Sequence, residues 1–227
     1  MHSSHDRPPE RLDDDLELRP GDWDPREVYF LLTGLVIPRP IGWVSTLDAD
    51  GVPNVAPHSY FNMVANDPPH VLFSSTGVKD TLRNVRATGE FVVNLVSTDV
   101  VEQMNFTATD FPPEEDELAW AGLTPAPAST VAAPRVAQAR AHLECAVRDE
   151  LTVGNGHVVI GEVTHVHVAR AVWRDGRVDP ELLDPVCRLA GTRYARLGEV
   201  FRLPRPRWDD DVRGTRPGEA IPRRGDV

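Results

Sequence analysis

"IGWVSTLDADGVPNVAP", residues Ile41 to Pro57, sets an apolar run against a second, proline-edged run across Asp50-Gly51. An Asp-Gly pair supplies the positive φ of a tight turn, so the stretch reads as a β-hairpin folded over "DADG". Downstream, "HVLFSS" (70–75) and "EFVVNLV" (90–96) are further strands, rich in Val and Phe. Between them, "DTLRNVRATG" spaces Leu82 and Val85 as an i,i+3 apolar pair and ends in Gly89, which predicts a short helix stopped by glycine. A second helix is expected over 99–108, before the Pro/Ala-rich connection "LTPAPASTVAAPRV". Two long strands, about 140–152 and 157–169, meet at "GNG". A last helix near 179–189 and a strand near 199–203 complete a mainly β set, an antiparallel barrel or sandwich carrying a few helices.

The chain has 227 residues, 41% hydrophobic and 26% charged, which fits one globular domain with a sizeable core. The domain is expected over 21–203, with polar, flexible residues at 1–20 and a flexible or partner-wrapping tail at 204–227. A formal charge of -11 excludes broad electrostatic binding of nucleic acid or of an anionic membrane, both of which need clustered positive charge. A small anion held by local donors remains open. Cys145 and Cys187 form no CxxC pair and read as ordinary buried thiols, so a reducing cytoplasm is the simpler setting. The N-terminus lacks the basic-then-apolar order of a signal peptide, and no apolar run reaches the ~20 residues of a spanning helix.

Lys79 is the only lysine among 24 basic residues. With Asp80 as N-cap and Thr81 at the first helical position, a cation, a hydroxyl and free backbone N–H groups would converge where a helix dipole is positive. A phosphate suits that place, although a solvated lysine beside an ordinary cap has the same sequence. Ser45 and Thr46 in "RPIGWVST" offer two hydroxyls for a phosphate or a polyol chain, or serve structure alone. "APHSYFNMVANDPP" (56–69) gathers Ser59, Tyr60, Phe61 and Asn62, which is either aromatic core packing or a surface for a flat heteroaromatic ring. Alternation places His157, His165 and His167 on one face of their strand, yet no third ligand has metal-site spacing. His157 differs, because it follows the "GNG" turn at a strand start. No G-x-G-x-x-G, Walker loop, G-x-S-x-G or H-E-x-x-H is present, which leaves Rossmann-type and familiar hydrolase sites without support.

"RPIGWVST", "APHSYFNMVANDPPHVLFSS", "KDTLRNVRATGEFVVNLV", "GHVVIGEV" and "GRVDPELLDPVCRLAGTRYARLG" occur in the order seen in the flavin reductase-like family, which this chain resembles over about residues 25–203. The resemblance implies a Greek-key split β-barrel and a homodimer with FMN near the subunit interface. It assigns Ser45, Thr46, Ser74, Lys79, Asp80 and Thr81 to the phosphate or ribityl end, and Ser59 to Asn62 to the isoalloxazine edge. Asn84 and Tyr194 are further cofactor candidates, Tyr194 from the partner subunit. A histidine in a "GDH" motif faces the nicotinamide in related reductases. Here "GNGH" makes His157 the matching residue, with Asp replaced by Asn155-Gly156. The implied activity is hydride transfer from NAD(P)H through FMN to free flavin or another small acceptor. A non-enzymatic flavin carrier of the flavoredoxin kind is the alternative. Flavin chemistry needs no acid–base triad, which agrees with the absence of one.

Overall fold

The computed structural model describes residues 16–216. The expected flexible stretches, 1–20 and 204–227, therefore fall partly outside the described residues, at 1–15 and 217–227. Seven strands form the main sheet: β1 Gly42–Leu47, β2 Pro53–His58, β3 Phe61–Asn66, β4 Pro69–Thr76, β5 Glu90–Leu95, β6 Ala141–Val153 and β7 Gly156–Val168. The helices are α1 Pro25–Leu35, α2 Asp80–Thr88, α3 Val101–Phe106, α4 Glu117–Trp120 and α5 Pro180–Leu183. The sheet is antiparallel throughout, in the order β2-β1-β5-β6-β7-β4-β3. Its two ends come back toward one another where β2 runs into β3. Ser74 N–H donates to Tyr60 O at 2.8 Å, and His58 Nδ1 lies 3.4 Å from Ser74 O. The architecture is a split β-barrel with peripheral helices, as the resemblance implies.

β1 is buried on both faces because a core lies on each. Val44 points inward to a cluster with Phe73, Phe91, Val93 and Val159, which Leu82 and Val85 of α2 complete. Trp43 points outward among Val55, Met104, Leu118 and Val136, and its indole N–H donates to Thr107 Oγ1 at 2.9 Å. An indole removes about 200 Å² from water, roughly 5 kcal/mol of burial, so the 97–139 region is a true second layer. Two glycines permit close approach within the barrel. A Cβ at Gly42 would stand 2.7 Å from the Phe61 ring, and one at Gly161 would stand 2.5 Å from Phe91 Cζ.

The β6–β7 hairpin carries two bulges on opposite strands. Pairing runs Ile160↔Asp149 then Gly161↔Val147, so Arg148 is extra in β6; it runs Val163↔Cys145 then His165↔Glu144, so Thr164 is extra in β7. The second bulge corrects the expectation that His157, His165 and His167 share a face. His157 goes with Val159 and Gly161, whereas His165 and His167 turn to the side of Glu144 and His142. His167 Nε2 lies 2.5 Å from Glu144 Oε1, and no group of three metal-ligating side chains occurs among the described residues.

Two expected elements near the C-terminus differ. The helix expected over 179–189 is only α5, because Asp184 adopts a left-handed φ of 48° and Pro185 follows without an N–H to continue it. The chain then extends as Val186–Arg188 in a three-stranded sheet with Arg39–Pro40 and Tyr194–Arg196. Residues 199–203 form no strand. Among the described residues, no helix is long and apolar enough to cross a membrane.

Candidate functional site

The N-terminus of α2 opens into a cleft of about 500 Å³ between the β2–β3 corner, the end of β4 and residues 107–111. The Leu82 and Val85 side chains anchor the helix in the barrel core, and Gly89, at φ 73°, ends it by donating to Val85 O at 2.8 Å. The N-cap is Lys79 rather than the expected Asp80, one residue earlier. Lys79 is extended and no side chain caps it. The reason is that the Asp80 carboxylate turns to Arg83, its i,i+3 neighbour, instead of to the backbone. The first-turn N–H groups of α2 consequently have no intrahelical or capping acceptor.

Of the residues singled out from sequence, Ser59, Tyr60, Ser74, Lys79, Asp80 and Thr81 line this one cleft. Lys79 Nζ sits 2.8 Å from Asp110 Oδ1, with side chains 63% and 88% exposed, a pair that solvent screens strongly. Thr81 is buried and its hydroxyl donates to Asn54 Oδ1 at 3.0 Å. Beneath the helix, Asn84 Nδ2 donates to Thr46 Oγ1 at 3.1 Å, and Thr46 Oγ1 donates to Asn54 Oδ1 at 3.3 Å. Thr46 and Asn84 are buried and stay below the cleft, fixing Asn54 and through it Thr81. Ser45 is also buried, on the outer face. Its hydroxyl donates to Pro134 O at 2.5 Å and accepts from Asn94 Nδ2 at 3.0 Å.

Phe61 and Asn62 line a neighbouring, mostly apolar groove of about 510 Å³ under α1, which shares Ser59 and Tyr60 with the cleft. Tyr194 lies apart from both in its own chain. Its hydroxyl donates to Asn105 Oδ1 at 2.7 Å, and the Arg188 guanidinium lies 4.5 Å from its ring centre. His157 lies off the cleft lining, with Nδ1 3.4 Å from Glu150 Oε1 and from Arg86, but it pairs across the sheet with Ser75, which lines the cleft.

Among the cleft residues not singled out in the sequence, Asn54, His58 and Glu117 bear most on its chemistry. Asn54 shares the inward side of β2 with Ala56 and His58, a placement that strand alternation does carry. His58 packs its ring 4.7 Å from that of Phe73, and its Nε2 is buried without a partner. Burial, against the Ser74 carbonyl and with Lys79 adding to it, takes its pKa down to about 4, so the ring is neutral near pH 7. Glu117 is 6% exposed, and its Oε2 accepts from Val55 N at 2.7 Å. Nothing in "PPEEDELAW" distinguishes it from its acidic neighbours. Burial first, then the Asp80 and Asp116 charges, push its carboxyl up to about 7. Burial also raises the Tyr60 phenol.

Residues 34–181 match the family described as the flavin reductase like domain. Nitrilotriacetate monooxygenase component B from Bacillus cereus is 38% identical, superposes with a TM-score of 0.81, and the match covers 85% of this chain and all of that one. The 2-nitrobenzoate 2-nitroreductase of Pseudomonas fluorescens is 30% identical, with a TM-score of 0.79 and coverage of 84% and 96%. Flavoredoxin of Desulfovibrio vulgaris (Miyazaki F) is 27% identical, with a TM-score of 0.69 and coverage of 74% and 91%.

Proposed function

This chain belongs to the flavin reductase-like family, and on that premise we propose that it is an FMN-dependent oxidoreductase that takes a hydride from NAD(P)H and delivers electrons to free flavin or another small acceptor. The observation that carries the reading is the cleft at the uncapped N-terminus of α2, which holds the only lysine of the chain. The donor set fits a flavin mononucleotide. Lys79, the first-turn N–H groups of α2 and the Thr81 hydroxyl would hold the phosphate, and a compact ammonium suits a site already crowded by backbone donors. Ser74 would meet the ribityl chain, and Ser59, Tyr60, Phe61 and Asn62 would run along the ring. Thr46 and Asn84 would support the site from beneath, while Ser45 would tie the barrel to its second layer through Pro134 and Asn94. When bound, the flavin supplies the two-electron chemistry, while the protein supplies position and hydrogen bonds.

His157 is assigned to the nicotinamide side, beside Ser75 across the sheet. A homodimer accords with the apolar groups left exposed along α1 and the edge strand β3, among them Phe30, Leu32, Leu35, Met63 and Val64. In such a pair Tyr194 would serve the cleft of the second copy. The test is purified protein reconstituted with FMN and mixed with NADH or NADPH. Nucleotide oxidation above the rate of free flavin supports the reading. A yellow but inert protein assigns it to the carriers, and a protein that cannot be made yellow refutes both.

A further inference from the structure

We propose that Glu117 is a proton-linked selectivity residue of the phosphate end of the cleft, taking up about one proton when a phosphate-bearing flavin binds near or above neutral pH. The proposal rests on the flavin reading above and deepens it.

The argument begins with a contrast between two buried carboxylates. Glu144, 0% exposed, accepts from Ser129 N at 2.7 Å, Thr130 N at 2.6 Å, Thr130 Oγ1 at 2.7 Å and His167 Nε2 at 2.5 Å, a set of donors that fixes a negative charge. Burial alone would raise its pKa, but these bonds outweigh it and bring the carboxyl to about 2. Glu117 is nearly as buried, yet one backbone N–H, that of Val55, is its principal donor, with Asn54 a weaker one. A carboxylate so poorly provided holds its proton near neutrality.

Charge around the cleft points the same way. On the α2 side, Lys79 and Arg83 are already matched by Asp110 and Asp80. Asp116 stands next to Glu117 at the start of α4, and Glu115, Asp48 and Asp50 line the cavity that Glu117 shares on its other side. His58, across the cleft, is neutral near pH 7. No cation in the lining is left to balance an ionised Glu117, so a phosphate dianion entering there meets a net negative wall unless Glu117 carries a proton. Protonated, the carboxyl is neutral and gains an O–H that can donate.

The test is calorimetric titration of FMN into the full-length apoprotein at about pH 8 and about pH 9, in two buffers of different ionisation heat. Phosphate monoesters have lost their second proton well below this range, so the ligand itself adds no pH dependence. In the wild type about one proton should be taken up and affinity should fall up to about tenfold per pH unit. In Glu117→Gln, whose amide keeps the bond from Val55 N–H without a charge, uptake should vanish and affinity should become nearly flat. Riboflavin, which lacks the phosphate, should show little uptake with either protein. Carbon-13 NMR of the Glu117 carboxyl in the wild type gives a second readout, with its midpoint rising on FMN binding. Equal uptake in wild type and Glu117→Gln, or a midpoint unmoved by FMN, overturns the proposal while the flavin reading stands. Failure of both proteins to bind any flavin overturns the flavin reading and the proposal with it.

Discussion

Replacing Asp110 by Asn should tighten FMN binding, because this carboxylate is paired with the lysine that the phosphate needs. Lys79 and Asp110 are 2.8 Å apart but 63% and 88% exposed, so solvent screens the pair and it is weak. The phosphate has to break it, and that cost is subtracted from the binding energy. Removing the competitor returns it, a gain of about 1.5- to 5-fold in affinity, with a further small gain from one negative charge fewer beside a dianion. Lys79→Ala should act in the opposite sense. A charge-assisted contact to phosphate is worth about 1.5–3 kcal/mol, and solvent access puts this one at the lower end, so about tenfold weaker binding is expected. Quenching of flavin fluorescence on titrating apoprotein reads both constants. Added salt should compress both effects, since the groups are solvent-exposed. Riboflavin should bind Asp110→Asn and wild type alike. Unchanged FMN affinity in both variants would remove Lys79 from the phosphate site, and equal effects on riboflavin would show that the cleft had been distorted rather than relieved of a competitor.

Three further outcomes follow from the buried charges and the packing. Glu144 is held below its usual 4.5 at about 2, so its stabilisation is complete above about pH 4.5 and is lost as pH falls toward 2. Urea unfolding across that window should show the wild type losing up to about 3 kcal/mol more than Glu144→Gln, which is already the weaker protein at neutral pH. Glu117 has the opposite sign: raised to about 7, it favours the fold most below about pH 4.5, and the benefit is lost as pH rises to 7. Glu117→Gln should therefore be the more stable protein above about pH 7, and parallel stability curves for the two would contradict its protonation in the fold. Gly161→Ala places a Cβ 2.5 Å from Phe91 Cζ and 3.1 Å from Cys145 Cβ, between two fully buried groups. A loss of about 1–3 kcal/mol is expected, and an unchanged urea midpoint would refute the tight packing of Gly161 against Phe91.

The strands from 41 to 96 and the long hairpin were legible because turn glycines and Val/Phe-rich runs act locally. The C-terminal elements were harder. α5 stops at a left-handed Asp184, and although Pro185 marks an end to the helix in "PELLDPVCRL", nothing there shows that Val186 goes on to pair with Val96. Within the site, Lys79 and Thr81 were found through the helix start, and Ser59 and Tyr60 through a dense local motif. The depth of Ser45 and Thr46 was not readable, because a strand covered on both faces has no polar side to betray its orientation. The three histidines failed for a related reason, since a bulge breaks the period-two rule from a position that the sequence leaves unmarked. Glu117 is one of four consecutive acidic residues, 114–117, and charge alone does not reveal which of them is buried; tertiary contact with Val55 singles it out.

The two bulges of β6 and β7 also constrain how this chain can change length. Arg148 shifts the pairing by one residue and Thr164 shifts it back, so the hairpin tip and its far end share one register while only residues 161–163 and 145–147 between them are offset. Loss of either extra residue alone would leave every other residue with its present partner and on its present face, because neither Arg148 nor Thr164 has a register partner of its own. What such a loss would remove is the bend and added twist that a bulge gives its strand. The hairpin can therefore shorten at these two positions without a change of register, at the expense of the curvature that brings the sheet round on itself.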